Sequence, residues 1–288
     1  MSEHPEFPTE KMAHMLDVSR SGFYKFQKAI SSGAKAIRIE QKAEFHASVR
    51  TEFEESKKRS GSPKIFNALA EKGILCSKKR VAASMRKQGL KSIYRRKYRP
   101  CTTDSRHALP VAPNLLNREF NPCERNRVWV TDITYIPTKE GWIYLTVVID
   151  LFSRMVVGWS LENHMETSMV LLALRRALWT RKPERGLMVH SDQGSQFASA
   201  LFVTALKETG CVQSMSRKGN CWDNAVAESF FGCFKSECVR NQVYENFDVA
   251  RSEIFEYIEV FYNRKRTHST NGYVTPVQFE LQKSKSIA

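Results

Sequence analysis

No uninterrupted apolar run in this sequence reaches the ~18 residues that a membrane-crossing helix needs, so no spanning segment and no membrane partner are expected. The first residues, Met1 to Glu6, are polar and acidic and lack the pattern of a secretory signal. Paired cysteines are missing too. The seven cysteines, at 76, 101, 123, 211, 221, 233 and 238, form no C-x-x-C pair, and no Cys/His cluster has zinc-finger spacing. An odd, scattered set speaks for reduced thiols in a cytoplasmic protein and against a disulfide scaffold. No internal repeat or low-complexity tract interrupts the 288 residues, enough for one large domain and a smaller one, each with its own core.

What is present in excess is positive charge, unevenly spread. Of the net +15, +13 falls in residues 1–110, where 24 Lys and Arg face 11 Asp and Glu. A basic part beside a nearly neutral one suggests a polyanion-binding module joined to something else; charge alone does not separate DNA from RNA or a membrane surface.

The basic part reads as helical. Glu10–Leu16 and Arg20–Phe26 form a helix pair, with Ser19 as cap of the second, in the manner of a helix-turn-helix. Ile37, Phe45, Val49 and Phe53 recur at helical spacing over 37–58. Ser62 as cap, Pro63 at the first position and Gly73 past the end frame a short helix. Ser77 then opens another, with an apolar seam at Val81 and Met85 and a cationic remainder. Lys78, Lys79 and Arg80 at its start are candidate DNA contacts. Residues 1–94 are thus expected to form a helical, helix-turn-helix-like DNA-binding region. The run Arg95-Arg96-Lys97-Tyr98-Arg99-Pro100, with Pro110 and Pro113 beyond, reads as a basic linker over 95–122 whose Arg95, Arg96 and Lys97 suit phosphates.

From about 127 the texture changes. Val128–Ile136, ending at Pro137, Trp142–Ile149 and Met155–Leu161 read as a three-strand meander. A helix over 167–180, a short strand at Leu187–His190, a helix over 197–209 and a strand at Cys211–Met215 follow, and helices over 223–239 and 246–264 close the chain. This order predicts a mixed α/β ribonuclease H-like core of five strands with flanking helices over 123–288.

Three acids stand out. Asp132 lies inside an apolar, β-branched run, where a charge is costly to bury unless paired or bound to a cation. Asp192 ends the fourth strand, where α/β proteins place ligands, with Gly194 allowing close backbone approach. Glu228 precedes Lys235 by seven residues; about 700° of helix puts both on one face, with Gly232 between them. Phosphodiester transfer is served by two divalent ions held by carboxylates, with a lysine meeting phosphate as a point charge. Each acid taken alone also has an ordinary structural reading, as turn, cap or exposed helix residue. Asp150, in a tight turn with Arg154 nearby, reads as structural.

The spacing and wording around these acids carry a resemblance. Thirty-five residues separate Asp192 from Glu228, and Lys235 follows seven later. With Trp129–Tyr135, Val148–Arg154, His190–Phe197, Met215–Phe231, Tyr262, Asn263, Arg266, His268, Gly272, Tyr273 and Pro276, the sequence resembles the D,D-35-E transposases, namely the second-frame (orfB-type) products of the IS-three family, with a retroviral-integrase-like core. The resemblance covers nearly the whole chain, and departs at Asn271, where leucine is expected. It implies that Asp132, Asp192 and Glu228 are catalytic and hold two Mg²⁺ (or Mn²⁺) ions. It implies further that water frees a 3′-hydroxyl at the element end, that this hydroxyl attacks a second phosphodiester without a covalent protein–DNA intermediate, and that the joined ends give a circular intermediate. The partners implied are terminal-repeat and target DNA, a homo-oligomer on DNA, and an upstream helix-turn-helix protein as fusion partner, in the bacterial cytoplasm and nucleoid. The loop Ser216–Trp222, with Arg217 and Lys218, would touch DNA beside the site, and Lys235 a phosphate. Arg266 and His268 fit structural hydrogen bonding or DNA contact equally. A non-catalytic DNA-binding repressor or competitor at element ends is the alternative function; a ribonuclease H acting on RNA–DNA hybrids matches the motifs less well.

Overall fold

The structure, a computed structural model, describes residues 8–31, 34–93, 109–240 and 242–285. Two compact units divide the chain, 1–92 and 93–288.

The first unit is all helical: α1 (Thr9–Met15), α2 (Arg20–Ser31), α3 (Ala34–Glu55), α4 (Ser62–Glu71) and α5 (Lys78–Lys87). Ser19 Oγ accepts the Gly22 N–H at 3.1 Å, capping α2 as expected. Phe45, Val49 and Phe53 of α3 meet Ile65, Leu69, Val81 and Met85 of α4 and α5 in one small core. Ile37, from the same periodic seam, lies outside that core and is exposed. Ser77 Oγ caps α5 through the Arg80 N–H. Ser62 does not cap α4. Gly61, in extended backbone, takes the cap position without a side-chain bond, and Ser62 is the first helical residue.

The second unit holds β1 (Val128–Thr138), β2 (Gly141–Asp150), β3 (Val156–Glu162), α6 (Thr167–Arg181), β4 (Met188–Ser191), α7 (Ser195–Ala198), α8 (Ala200–Glu208), β5 (Val212–Met215), α9 (Ala225–Phe234), α10 (Phe247–Phe255) and α11 (Pro276–Lys285). The sheet order is β3-β2-β1-β4-β5. β1, β2 and β3 pair antiparallel, while β4 runs parallel to β1 and β5 to β4. This is the expected five-stranded α/β core. Alternation along the strands feeds two apolar layers. Val130, Ile136, Leu145 and Val147 pack against α9 and the Phe247–Tyr262 helix through Phe230, Phe234 and Tyr257. Trp129, Val148 and Val157 pack on the other face against Met169, Ala173 and Phe202 of α6 and α8.

Five stretches differ from the sequence reading. β1 continues through Pro137 to Thr138. The Pro137 carbonyl accepts the Tyr244 N–H on the side away from β2, so the missing N–H points there too and the β1–β2 ladder is intact. The helix over 197–209 breaks at Ser199, whose Oγ caps α8. Beyond α9 the helix loosens into a π turn, Lys235–Val239, and α10 does the same over Glu256–Tyr262. Residues 114–118, inside the expected 95–122 linker, belong to the second unit: Leu116 is buried, and the Leu115 and Leu116 N–H groups donate to Ser214 Oγ.

Candidate active site

β4 pairs with β1 only along Val128–Val130, so the next stretch of β1 has an open edge. Asp132 is the second residue past that pairing. It lines a cleft with Asp192, Tyr135, Tyr144, Ser195 and Gln196. Asp132 Oδ1 accepts the Ile133 N–H at 2.8 Å. Burial pushes the Asp132 carboxyl well above the usual range, and the charges of Asp192 and Glu228 push the same way; Ile133 N–H and Lys235 oppose them.

Asp192 follows β4 directly, and its Oδ1 accepts the Gly194 N–H at 3.0 Å. A Cβ at Gly194 would stand 3.1 Å from that same oxygen. The glycine therefore makes room for the aspartate itself. His190, two residues earlier, is fully buried between Ser214 Oγ at 2.8 Å and Ser216 Oγ at 3.1 Å. Burial lowers its pKa to about 4, so it is neutral near pH 7 and ties β4 to β5.

Glu228 is exposed in the first turn of α9, and Gly232 opens onto empty space one turn on. Lys235 ends this helix with Nζ 4.9 Å from the Tyr135 ring centre. Burial lowers the Lys235 pKa while Asp132 pulls it back up. Asp132 at the open edge of β1 thus feels the charges of the other three residues singled out by spacing, Asp192, Glu228 and Lys235.

Among the described residues, no three His, Cys, Asp or Glu side chains are already closed around one point. The donor set fits a hard divalent ion, for its oxygens are carboxylates and Asp132 is disfavoured as an anion by burial first and by Asp192 and Glu228 next, a cost a cation would offset. The metal-holding residues would be Asp132, Asp192 and Glu228.

Beside the acids, the turn from Ser216 to Asn224 is built on Asp223, which sequence reasoning passed over. Its buried carboxylate accepts from Arg217 N, Nε and Nη2, from Arg118 Nε and from Asn114 Nδ2, all within 2.8–3.0 Å. These bonds, those of Arg217 first, hold it far below the ordinary carboxylate range. Arg217, expected at DNA, pairs with this carboxylate while staying exposed, and Lys218 beside it is exposed too. Asn224 Nδ2 reaches the Thr131 carbonyl at 3.4 Å, fastening the turn next to Asp132.

Comparison with known proteins decides the family. The chain is 41% identical over 279 residues to "Transposase InsF for insertion sequence IS3A" of Escherichia coli, covering 96% of this chain and 94% of the relative. It belongs to the IS3-type transposase family. A 31 kDa protein of insertion element IS600 from Shigella sonnei is 40% identical, covering 93% and 97% of the two chains. Two integrase core domain models match residues 122–221 and 228–283, and an HTH-like domain model matches 39–98. Among solved structures, a simian T-cell lymphotropic virus intasome chain, in complex with PP2A regulatory subunit B56 gamma, aligns at TM-score 0.47 and 16% identity, over 74% of this chain and 69% of its own. The HTLV-2 integrase catalytic core with magnesium aligns at 0.40 and 19%, over 55% and 97%. The chain is a transposase with an integrase-type core.

Other residues of this transposase fall into place around the core. Arg266 is buried, with Nε 2.9 Å from Glu237 Oε2 and Nη1 3.3 Å from His268 Nε2, which selects the structural reading for both. Asn271, in place of the expected leucine, is buried and donates to the Ser153 carbonyl at 2.7 Å. Asp150 is structural as expected, accepting the Asn126 and Phe152 N–H groups and pairing with Arg181 at 3.2 Å. In the first unit Lys78, Lys79 and Arg80 are all exposed, with Lys78 Nζ 5.6 Å over Phe66 and Arg80 4.1 Å over Phe45. Arg95, Arg96 and Lys97 lie outside the described residues. Among the described residues no helix is long and apolar enough to cross a membrane.

Proposed function

We propose that this transposase cleaves and joins DNA strands at insertion-sequence ends through Asp132, Asp192 and Glu228 acting as catalytic, metal-holding residues. The observation that supports this reading best is that Asp132, buried in one cleft with Asp192 at the open edge of β1, feels the charges of both Asp192 and Glu228 and the opposing charge of Lys235. Two bound Mg²⁺ or Mn²⁺ ions would activate the attacking hydroxyl and stabilise the leaving oxygen. Asp132 on β1 and Asp192 just past the parallel β4 line the cleft, and Glu228 is carried by α9. Lys235 meets a phosphate oxygen near the reacting one. Lys218 is presented to DNA on a turn whose shape Arg217 and Asp223 set. Lys78, Lys79, Arg80 and the 95–97 run hold flanking DNA through phosphates. The protein works as a homo-oligomer on DNA in the bacterial cytoplasm, with an upstream helix-turn-helix protein as fusion partner. The test is Mg²⁺-dependent nicking of duplexes carrying the element ends, with and without that partner. Nicking at the element boundary supports the reading; binding without nicking in both conditions favours a repressor and overturns it.

A further inference from the structure

The cleft that holds Asp132 and Asp192 continues along β1 into an aromatic surface that the proposed chemistry leaves unused. Tyr135 lies opposite Tyr144 and Pro137 opposite Trp142 in the β1–β2 register, so Tyr135, Tyr144 and Trp142 share one face of the hairpin. Both tyrosines line the cleft. Trp142 stands beyond them, 53% exposed, and belongs to neither apolar layer. Its ring meets Tyr135 edge-on, at 4.9 Å and 88°, so Tyr135 supports it from one side. On Tyr135 also lies Lys235 Nζ, 4.9 Å from the ring centre.

The carboxylate cleft, the Lys235 cation brought in from the end of α9 and the aromatic face of the hairpin meet at the open edge of β1, an arrangement that can follow a nucleic-acid strand around that edge. The cation tracks a phosphate and the ring takes a base face, whatever the base. We propose that Trp142, steadied by Tyr135, is a stacking platform for an unstacked base of the DNA strand whose phosphate lies at Asp132. The inference rests on the strand-cleavage reading and adds a specific contact to it. Five residues of β1 separate Asp132 from the position opposite Trp142, roughly 17 Å at strand spacing. That is about five base steps of stacked duplex at ~3.4 Å each, and fewer for an extended strand. The base in question therefore lies within about five nucleotides of the reacting phosphate.

The test uses the full chain and element-end duplexes with 5-iodouracil placed, one position at a time, at the five nucleotides on each side of the cleaved phosphate. Irradiation followed by peptide mapping should give a crosslink to Trp142 from one or two adjacent positions. W142A should bind the ends about 5- to 100-fold more weakly, and W142F should restore binding to within a few-fold. Normal nicking by wild type with no crosslink to Trp142, or W142A that binds as wild type does, overturns the inference alone. W142A that changes the oligomeric state without changing DNA affinity also overturns it, making the ring a contact between copies. A wild-type protein that nicks no element end overturns the strand-cleavage reading and this inference with it.

Discussion

Arg266 grips Glu237 from the buried side, Nε 2.9 Å from Oε2, on the face of the helix opposite Glu228. Tyr257 donates to the same carboxylate at 3.0 Å, and Arg266 Nη2 lies 3.0 Å from Cys233 Sγ. The element carrying Glu228 and Lys235 is thus fastened to the C-terminal helices by one buried ion pair. Removing one member strands the other. Arg266→Ala should cost about 3–5 kcal/mol in urea unfolding, whereas the paired change Glu237→Leu with Arg266→Met should recover most of that loss. Equal losses in the single and double variants would contradict this.

Asp223 should make the protein acid-sensitive in a defined direction. Its carboxyl is held below its ordinary value by the Arg217 bonds first. A depressed folded-state pKa contributes stability that is present above the unfolded value of ~4 and lost as pH falls through the folded one. Asp223→Ala should therefore cost about 2 kcal/mol at pH 7. The gap to wild type should narrow as unfolding is measured below pH ~4; a gap independent of pH would count against the assignment.

Gly158 on β3 admits no side chain. A Cβ there would lie 2.5 Å from the Ala173 carbonyl and 2.7 Å from Ala177 Cβ on α6. Gly158→Ala should destabilise by about 1–3 kcal/mol, read as a lower urea midpoint at unchanged slope. An unchanged midpoint would mean that strand and helix separate more easily than their packing implies.

Lys235 is proposed to neutralise one phosphate. Lys235→Ala should weaken end binding and lower the slope of log affinity against log salt by about 0.9, while Lys235→Arg should keep the slope. A slope unchanged in Lys235→Ala would remove the lysine from the DNA contact.

The strands, the helices and the acid spacing were legible because they rest on local periodicity. Asp132 stood out as a charge in a β-branched run, and the Glu228–Lys235 interval is helical arithmetic. Asp223 was not legible. It reads as one more acid in a turn, and its partners Asn114 and Arg118 lie 109 and 105 residues away. The same holds for Glu237, whose partner Arg266 is 29 residues on. Asn263, quoted only as part of a motif, bonds both the N–H and the carbonyl of Val156 at 3.0 Å, closing the edge of β3 as a neighbouring strand would. Arg217, the first partner of Asp223, is only six residues away, yet the burial that gives the acid its role comes from distant segments that no short window of sequence contains. Ser62 misled for a local reason, since Gly61 could take the extended cap conformation one residue earlier.

The most direct test of the account is Mg²⁺-dependent nicking of element-end duplexes by Asp132→Asn, Asp192→Asn and Glu228→Gln, with end binding measured in parallel. The account predicts that each variant binds DNA as wild type does and loses at least a hundred- to a thousandfold, roughly, in nicking rate. Nicking near the wild-type rate by any one of the three would contradict it.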